Sequence, residues 1–190
     1  MGMVVSFAFL FVVAGMLIYL GMLYNGLIAL QSDIDKAWAN IDVLLKQRYD
    51  EISRVVEVCK GYMQYERETL LAITHARSTY ARAVTVNQKA EASGPLNSSV
   101  QQLFATAENY PQLKANDTFL HLQKRITELE EQIADRREFY NDAVNTYNIR
   151  MRQMPDAYVA RRMRLTPRSM FKVKESERAP VPVTRDEVRH

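Results

Sequence analysis

Apolar residues fill the first part of the chain without interruption. The stretch MVVSFAFLFVVAGMLIYLGMLYNGLIAL, residues 3–30, contains no Asp, Glu, Lys, Arg or His. About 20 apolar residues are enough to cross the hydrocarbon core of a bilayer, so this stretch predicts a membrane-spanning helix over about residues 4–23. The alternative is a cleaved signal peptide, which normally has a basic start, a shorter apolar core and a small-x-small cleavage site, and none of these features occurs. We therefore predict an uncleaved membrane anchor over residues 1–30.

The residues that follow alternate between apolar and charged positions with the period of an α-helix. The apolar members of this first stripe are three or four residues apart: Trp38, Ile41, Leu45, Tyr49, Ile52, Val56, Cys59 and Met63. Charged residues fall between them, which predicts a solvated opposite face. The stripe resumes at Leu70, and no proline interrupts it before Pro95. The pattern predicts one long helix with a bend near Gly61, and two helices separated there are the alternative.

Two further helices are predicted from capping residues and from apolar spacing. Asn97 or Ser98 is placed to cap a short helix that ends near Pro111, and Asn116 to cap the last long helix, which ends near Pro155. The apolar face of that last helix contains Phe119, Leu122, Ile126, Leu129, Ile133, Tyr140, Val144 and Tyr147. A coiled coil has a similar pattern, but the run lasts only about five heptads and the other helices need its apolar face.

The predicted fold is therefore all-α. It combines a single N-terminal transmembrane helix with an antiparallel bundle of three or four long helices over residues 31–155. A basic, irregular, Pro-containing tail is predicted over residues 156–190.

Charge is unevenly distributed along the chain. The 25 basic and 22 acidic residues give a formal net charge of +3, which is too small to predict nucleic-acid binding. Residues 31–149 contain 14 basic and 17 acidic side chains, whereas residues 150–178 contain nine basic and three acidic ones, a net charge of +6. By the positive-inside rule, the cations that follow the anchor, Lys36, Lys46 and Arg48, predict a cytoplasmic bundle on a single-pass protein of the cell (inner) membrane.

The basic excess lies in the segment YVARRMRLTPRSMFKVKE, residues 158–175. Its cations are spread along the segment rather than confined to one helical face, and Pro167 would break a helix there. We expect packing not to fix this segment, and we expect it to be an electrostatic contact element for anionic lipid or for a protein partner. Nucleic-acid binding and a tail without a dedicated partner are the alternatives. The candidate contact residues are Arg161, Arg162, Arg164, Arg168, Lys172 and Lys174.

Several common sequence motifs of catalytic and nucleotide-binding sites do not occur in the chain. There is no GxSxG, P-loop, GxGxxG or HExxH string. A di-metal carboxylate bundle needs Glu three residues before a helical His, but Ala72 precedes His75 and Thr118 precedes His121. The only cysteine, Cys59, cannot form an intrachain disulfide and is expected to be a buried thiol. We therefore assign no catalytic residue, no cofactor and no metal, and we predict that the protein is not an enzyme.

The order of several motifs resembles the LemA family of bacterial membrane proteins. The motifs YNGLIAL, AWANIDVLLKQRYDEI and VCKGYMQYE are followed by AENYPQLKAN, RREFYNDAVNTYN and the proline of RQMP, from Tyr24 to about Lys174. The resemblance implies a short N-terminal tail, one membrane helix and a cytoplasmic helical bundle. It implies no accepted enzymatic activity, and some relatives act in specialised membrane compartments such as magnetosomes. The chain departs from the family at Ser53, where Pro is common, and in the strongly basic run ARRMRLTPR.

These observations predict a membrane-anchored, non-enzymatic helical scaffold or adaptor that presents a cytoplasmic bundle to unidentified protein partners. One alternative is an enzyme or enzyme subunit with a carboxylate-lined cleft between helices. Another is a membrane-compartment organising protein of the magnetosome LemA-like type. Two or more buried acids that face one pocket would favour the enzyme, whereas apolar helix interfaces would favour the scaffold.

Overall fold

A computed structural model describes residues 1–172, and over that range the chain forms six α-helices and no strands. The helices are α1 (Gly2–Lys60), α2 (Arg67–Arg82), α3 (Val86–Ala107), α4 (Pro111–Lys114), α5 (Asp117–Arg150) and α6 (Asp156–Arg162). The prediction of an all-α protein with a long apolar N-terminal helix is confirmed. The chain divides into two compact units: Met1–Arg48 with Thr127–Met170, and Tyr49–Ile126 with Phe171 and Lys172.

The apolar N-terminal stretch and the first amphipathic stripe belong to one continuous helix. α1 is 59 residues long, so the boundary predicted at residue 30 falls inside it. Its most apolar 18-residue window has a mean hydropathy of 2.6, and none of that window is buried. Within residues 1–172, α1 is the one helix that is long and apolar enough to cross a membrane.

The long helix breaks at Gly61, so the prediction of one bent helix is wrong and the alternative of two helices is correct. α1 ends at Lys60, and residues 61–66 form turns before α2 begins. The side chain of Asn116 donates a hydrogen bond to Tyr62 Oη (3.2 Å), and Tyr110 Oη donates to Glu66 Oε1 (3.0 Å). These bonds join the turns to residues 54 and 44 positions later in the chain, so local sequence patterns do not predict them.

α3 begins at a cap that the sequence analysis did not identify. The amide of Gln88 donates to Thr85 Oγ1 (3.2 Å), and the amide of Thr85 donates to Gln88 Oε1 (3.1 Å), which forms a reciprocal capping box. The helix then continues through Pro95, so the predicted cap at Asn97 or Ser98 is wrong. Residues on both sides of the proline are buried, and this burial outweighs the loss of one backbone hydrogen bond.

α5 follows the predicted pattern closely. It begins after Asn116, whose Oδ1 accepts a hydrogen bond from the amide of Phe119 (3.0 Å), as predicted for its cap. All eight residues of the predicted apolar face are buried. The helix ends at Arg150, a few residues before the predicted end near Pro155.

In the first unit, α1 and α5 run antiparallel. The ring of Trp38 lies 5.8 Å from that of Tyr140, and Gln31 Nε2 donates to Tyr147 Oη (3.2 Å). Residues later in α1 contact residues earlier in α5, so the C-terminal end of α5 lies nearer to the apolar part of α1. Trp38 is therefore a packing residue at this interface.

In the second unit, α2 packs against α3, and aromatic contacts join α2 to the end of α1. The rings of Tyr49 and Tyr80 stack at 6.1 Å, and the guanidinium of Arg77 lies 5.0 Å from the centre of the Tyr49 ring. Arg77 also donates a hydrogen bond to Ser53 Oγ, which in turn donates to the Tyr49 carbonyl (2.8 Å). The helix is continuous at Ser53, so this residue contributes a polar contact that a proline could not make.

Candidate membrane-proximal site

A short helix occupies the start of the segment that the sequence analysis described as an irregular tail. α6 places Val159 and Ala160 in a buried cluster with Leu23 and Leu27 of α1. The partly buried side chains around this cluster are Leu20, Met151, Met163 and Leu165. Packing therefore fixes the segment, contrary to our expectation. Val159, Ala160 and Met163 of the segment share one helical face, and the sequence analysis gave more weight to the cations and to Pro167 than to this spacing.

A partly buried ion pair joins the end of α5 to the start of α6. Arg150 donates from Nε and Nη2 to the two carboxylate oxygens of Asp156, at 3.1 and 3.0 Å. The same guanidinium lies against α1, where a Cβ atom on Gly26 would be 3.4 Å from both Nη atoms. Asp156 is the only acidic residue among residues 150–172, which is the one sequence signal that could have pointed to this pair.

The end of α6 forms a Schellman motif with an unusual residue at its left-handed position. Arg164 has a φ of 55°, in the region that favours glycine. The amide of Leu165 donates to the Ala160 carbonyl (3.0 Å), and the amide of Arg164 donates to the Arg161 carbonyl (3.1 Å). Leu165 then contacts the buried cluster. The motif therefore turns the chain back along α5.

Residues 165–170, which we call the strap, lie along α5 without regular secondary structure. Asn148 makes a reciprocal pair with the backbone of Arg168: its Nδ2 donates to the carbonyl (2.9 Å), and its Oδ1 accepts from the amide (3.0 Å). Tyr147 Oη donates to the Thr166 carbonyl (3.3 Å), and Tyr140 Oη donates to the Ser169 carbonyl (2.9 Å). Three side chains of α5 thus satisfy strap backbone groups that have no partner in a helix.

The six predicted contact residues fall into three groups. Arg161, Arg162, Arg164 and Lys172 are exposed. Arg168 is bound through its backbone, and its guanidinium lies 3.6 Å from Asp35 Oδ1 on α1. Lys174 lies outside the residues that the structure describes. The structure brings the first three arginines together at the C-terminal end of α6, whereas Arg168 lies in the strap.

The height of α6 along α1 follows from its contacts. The predicted span ends near Leu23, and Leu27 lies about 6 Å farther along the helix at about 1.5 Å per residue. The polar layer on each side of a bilayer core is roughly 5 to 8 Å thick. Because α6 packs against both leucines, the predicted span would place it at the level where α1 leaves the hydrocarbon.

Two acids of the first unit, the buried Asp156 and the partly buried Glu130, are next to arginines. Asp156 is bound by Arg150, as described above. Glu130 is near the buried Arg48 and near Arg137; burial raises the pKa of Glu130, and the two guanidinium groups oppose that rise. Among residues 1–172, no group of three His, Cys, Asp or Glu side chains could hold a metal ion.

The known proteins that the chain matches include magnetosome MamQ proteins and a LemA protein. Over 69 residues the chain is 39% identical to the magnetosome protein MamQ 2 of Paramagnetospirillum magneticum, a match that covers 36% of this chain and 25% of that protein. It is 21% identical over 172 residues to the magnetosome protein MamQ of Magnetospirillum gryphiswaldense, covering 73% of this chain and 61% of that protein. It is 27% identical over 158 residues to protein LemA of Metamycoplasma hominis, covering 83% of this chain and 72% of that protein.

The matched region thus spans a quarter to about three fifths of the length of these MamQ proteins. The family model described as the LemA family matches residues 37–184, which is most of the chain and includes α2 to α6. This match begins after the apolar stretch, so it depends on the helical region and not on hydrophobicity alone. The chain therefore belongs to the LemA family.

Proposed function

We propose that this protein is a single-pass membrane scaffold that presents its helical region to protein partners. The observation that carries the proposal is α1, whose exposed apolar part continues without a break into a part buried against other helices. An exposed apolar face of this length is stable in lipid and unfavourable in water. The helical region is therefore held at the membrane surface, where it meets other membrane and peripheral proteins.

Crosslinking in native membranes tests the scaffold role. The tagged full chain is crosslinked in its own membrane, solubilised in detergent and purified, and the proteins recovered with it are identified. The control is residues 1–30 fused to an unrelated soluble protein with the same tag. We expect the full chain to enrich a reproducible set of proteins that the control does not. Recovery of the same proteins with both would contradict a scaffold role for the helical region.

A role in organising a membrane compartment is the second candidate, and the similarity to magnetosome MamQ proteins supports it. The two candidates differ in the distribution of the protein within the cell. A fluorescently tagged full chain that organises a compartment concentrates at discrete internal membranes, whereas a general scaffold of the cell membrane follows its outline. Imaging of the tagged chain at its natural level of expression distinguishes them.

The contacts of Asp156 and Glu130 support a non-enzymatic role over a carboxylate-lined cleft. A carboxylate that works as a general base needs access to a substrate proton. Both oxygens of Asp156 accept hydrogen bonds from Arg150, and Glu130 is near two arginines. These arrangements are typical of structural ion pairs in a helical interface.

A further inference from the structure

We propose that α6 and the adjoining turn of α1 form a binding site for the headgroups of anionic phospholipids, an inference that rests on α1 crossing the membrane. α6 packs on Leu23 and Leu27, so its height relative to the bilayer is set by the anchor helix itself. The lipids of the leaflet on the same side of the membrane as α6 are therefore the first molecules that the exposed side of α6 meets.

The exposed side of α6 has the chemistry of an interfacial surface. Tyr158, Arg161 and Arg162 are three and four residues apart, so they lie on one face of the helix. All three side chains are exposed, and Tyr158 retains 66% of its accessible surface. A tyrosine ring favours the boundary between acyl chains and headgroups. Guanidinium groups donate paired hydrogen bonds to phosphate oxygens. The same face therefore fits both parts of a phospholipid at the interface.

The charge of the segment selects for an anionic headgroup. Residues 150–172 contain seven basic residues and one acidic residue, Asp156. That carboxylate is buried and bound to Arg150, and it therefore does not neutralise the exposed arginines. A cation near an anionic membrane surface contributes about 1 kcal/mol of attraction, which favours anionic over zwitterionic lipid.

The site is ordered before lipid binds, which distinguishes it from a basic tail. Packing on α1 and the pair between Arg150 and Asp156 hold α6 in place. The reciprocal bonds between Asn148 and Arg168 hold the strap that follows. Because the backbone is already fixed, lipid binding orders only the side chains, and less conformational entropy is lost than in a flexible tail.

Photocrosslinking of the full chain in nanodiscs tests the site. The discs contain phosphatidylglycerol and phosphatidylcholine in equal amounts, and a benzophenone amino acid replaces Tyr158. The control carries the same amino acid in place of Phe139, which is also 66% exposed. Phe139 precedes Tyr140, which contacts Trp38, and Trp38 lies about 22 Å beyond Leu23 along α1. We expect lipid adducts at position 158 and none at position 139.

The ratio of the two lipids in the adducts tests headgroup selection. We expect phosphatidylglycerol adducts to exceed phosphatidylcholine adducts, and Arg161→Gln with Arg162→Gln to lower that ratio about fivefold for each arginine. The matched control is Arg67→Gln with Arg82→Gln, which removes the same charge from exposed positions of α2. This control is expected to leave the ratio unchanged.

Four results would overturn the inference. In the first, position 158 gives no more lipid adducts than position 139, although the protein resists alkaline carbonate extraction. This result would show that α1 anchors the protein but that α6 does not bind lipid. In the second, the ratio of phosphatidylglycerol to phosphatidylcholine adducts is the same in the parent and in the Arg161/Arg162 variant, which would show that these arginines do not select the headgroup. Crosslinks in native membranes that join position 158 to a protein instead of a lipid would assign this face to a protein partner. Extraction of the protein by carbonate would contradict the proposed anchorage, and with it this site.

Discussion

At the scale of single residues, Arg164 occupies a backbone conformation that favours glycine. A side chain in the left-handed region costs about 1 kcal/mol relative to glycine. We expect Arg164→Gly to raise the free energy of unfolding by about that amount, although it removes an exposed cation. The control is Arg162→Gly, because that residue is helical and glycine lowers helix stability there by about 1 kcal/mol. The midpoint temperature of thermal unfolding in detergent should rise for Arg164→Gly and fall for Arg162→Gly. A fall for both variants would contradict the left-handed cap.

Cys59 gives a pH-dependent prediction. Burial raises the pKa of this thiol from 9.0 to about 11. The folded state therefore holds the proton more tightly than the unfolded state, so the associated stability is present below pH 9 and is lost as pH rises toward 11. We expect the unfolding temperature of the parent to fall more steeply between pH 9 and 11 than that of Cys59→Ala. An equal fall of the unfolding temperature with pH in the two proteins would show that the thiol does not contribute to the pH dependence of stability.

The apolar residues of the core were predictable from the sequence, whereas the arginines that lie beside buried or partly buried acids were not. Residues such as Ile126 and Tyr147 recur with the helical period, and that period alone identifies the buried face. Arg48 and Arg150 have no such signal, because their positions depend on Glu130 and Asp156, which lie far away or beyond a helix end. Local spacing does not report pairings of this kind.

At the scale of elements, the strap depends on one side chain of α5. Asn148 exchanges two hydrogen bonds with the backbone of Arg168. We expect Asn148→Ala to destabilise the strap by about 1 to 3 kcal/mol, because two polar backbone groups lose their partner. Hydrogen exchange at the Arg168 amide should accelerate by one to two orders of magnitude. The control Asn145→Ala changes an exposed residue of the same helix. A comparable acceleration of exchange at the Arg168 amide in this control would contradict the role of Asn148.

The helix boundaries show where sequence reasoning succeeds and where it does not. Asn116 caps α5 as predicted, because an N-cap acts within three residues of sequence. The break at Gly61 depends on hydrogen bonds from distant residues, and the continuation of α3 through Pro95 depends on burial of its neighbours. α6 was missed because a seven-residue helix is stabilised by packing on α1 rather than by its own propensity.

At the scale of the whole molecule, orientation in the membrane is open to a direct test. The cations after the anchor predict that the helical region is cytoplasmic. Cys59 is buried and unsuitable as a reporter, so Thr79→Cys and Gly2→Cys are each introduced into Cys59→Ala. A membrane-impermeant maleimide should label the cysteine at position 2 in spheroplasts and the one at position 79 only after permeabilisation. Labelling in the reverse order would invert the proposed topology.

The placement of α6 on one side of α1 limits how the anchor can meet another helix. Leu20, Leu23 and Leu27 face the α6 cluster, and at about 100° per residue the opposite side of α1 contains Ile18, Met22 and Asn25. With α1 crossing the membrane as proposed, α6 sterically excludes a second helix from its own side where α1 leaves the hydrocarbon. Self-association of the anchor at this level would thus place Met22 of each copy at the shared interface and both α6 helices at the outer edges of the pair.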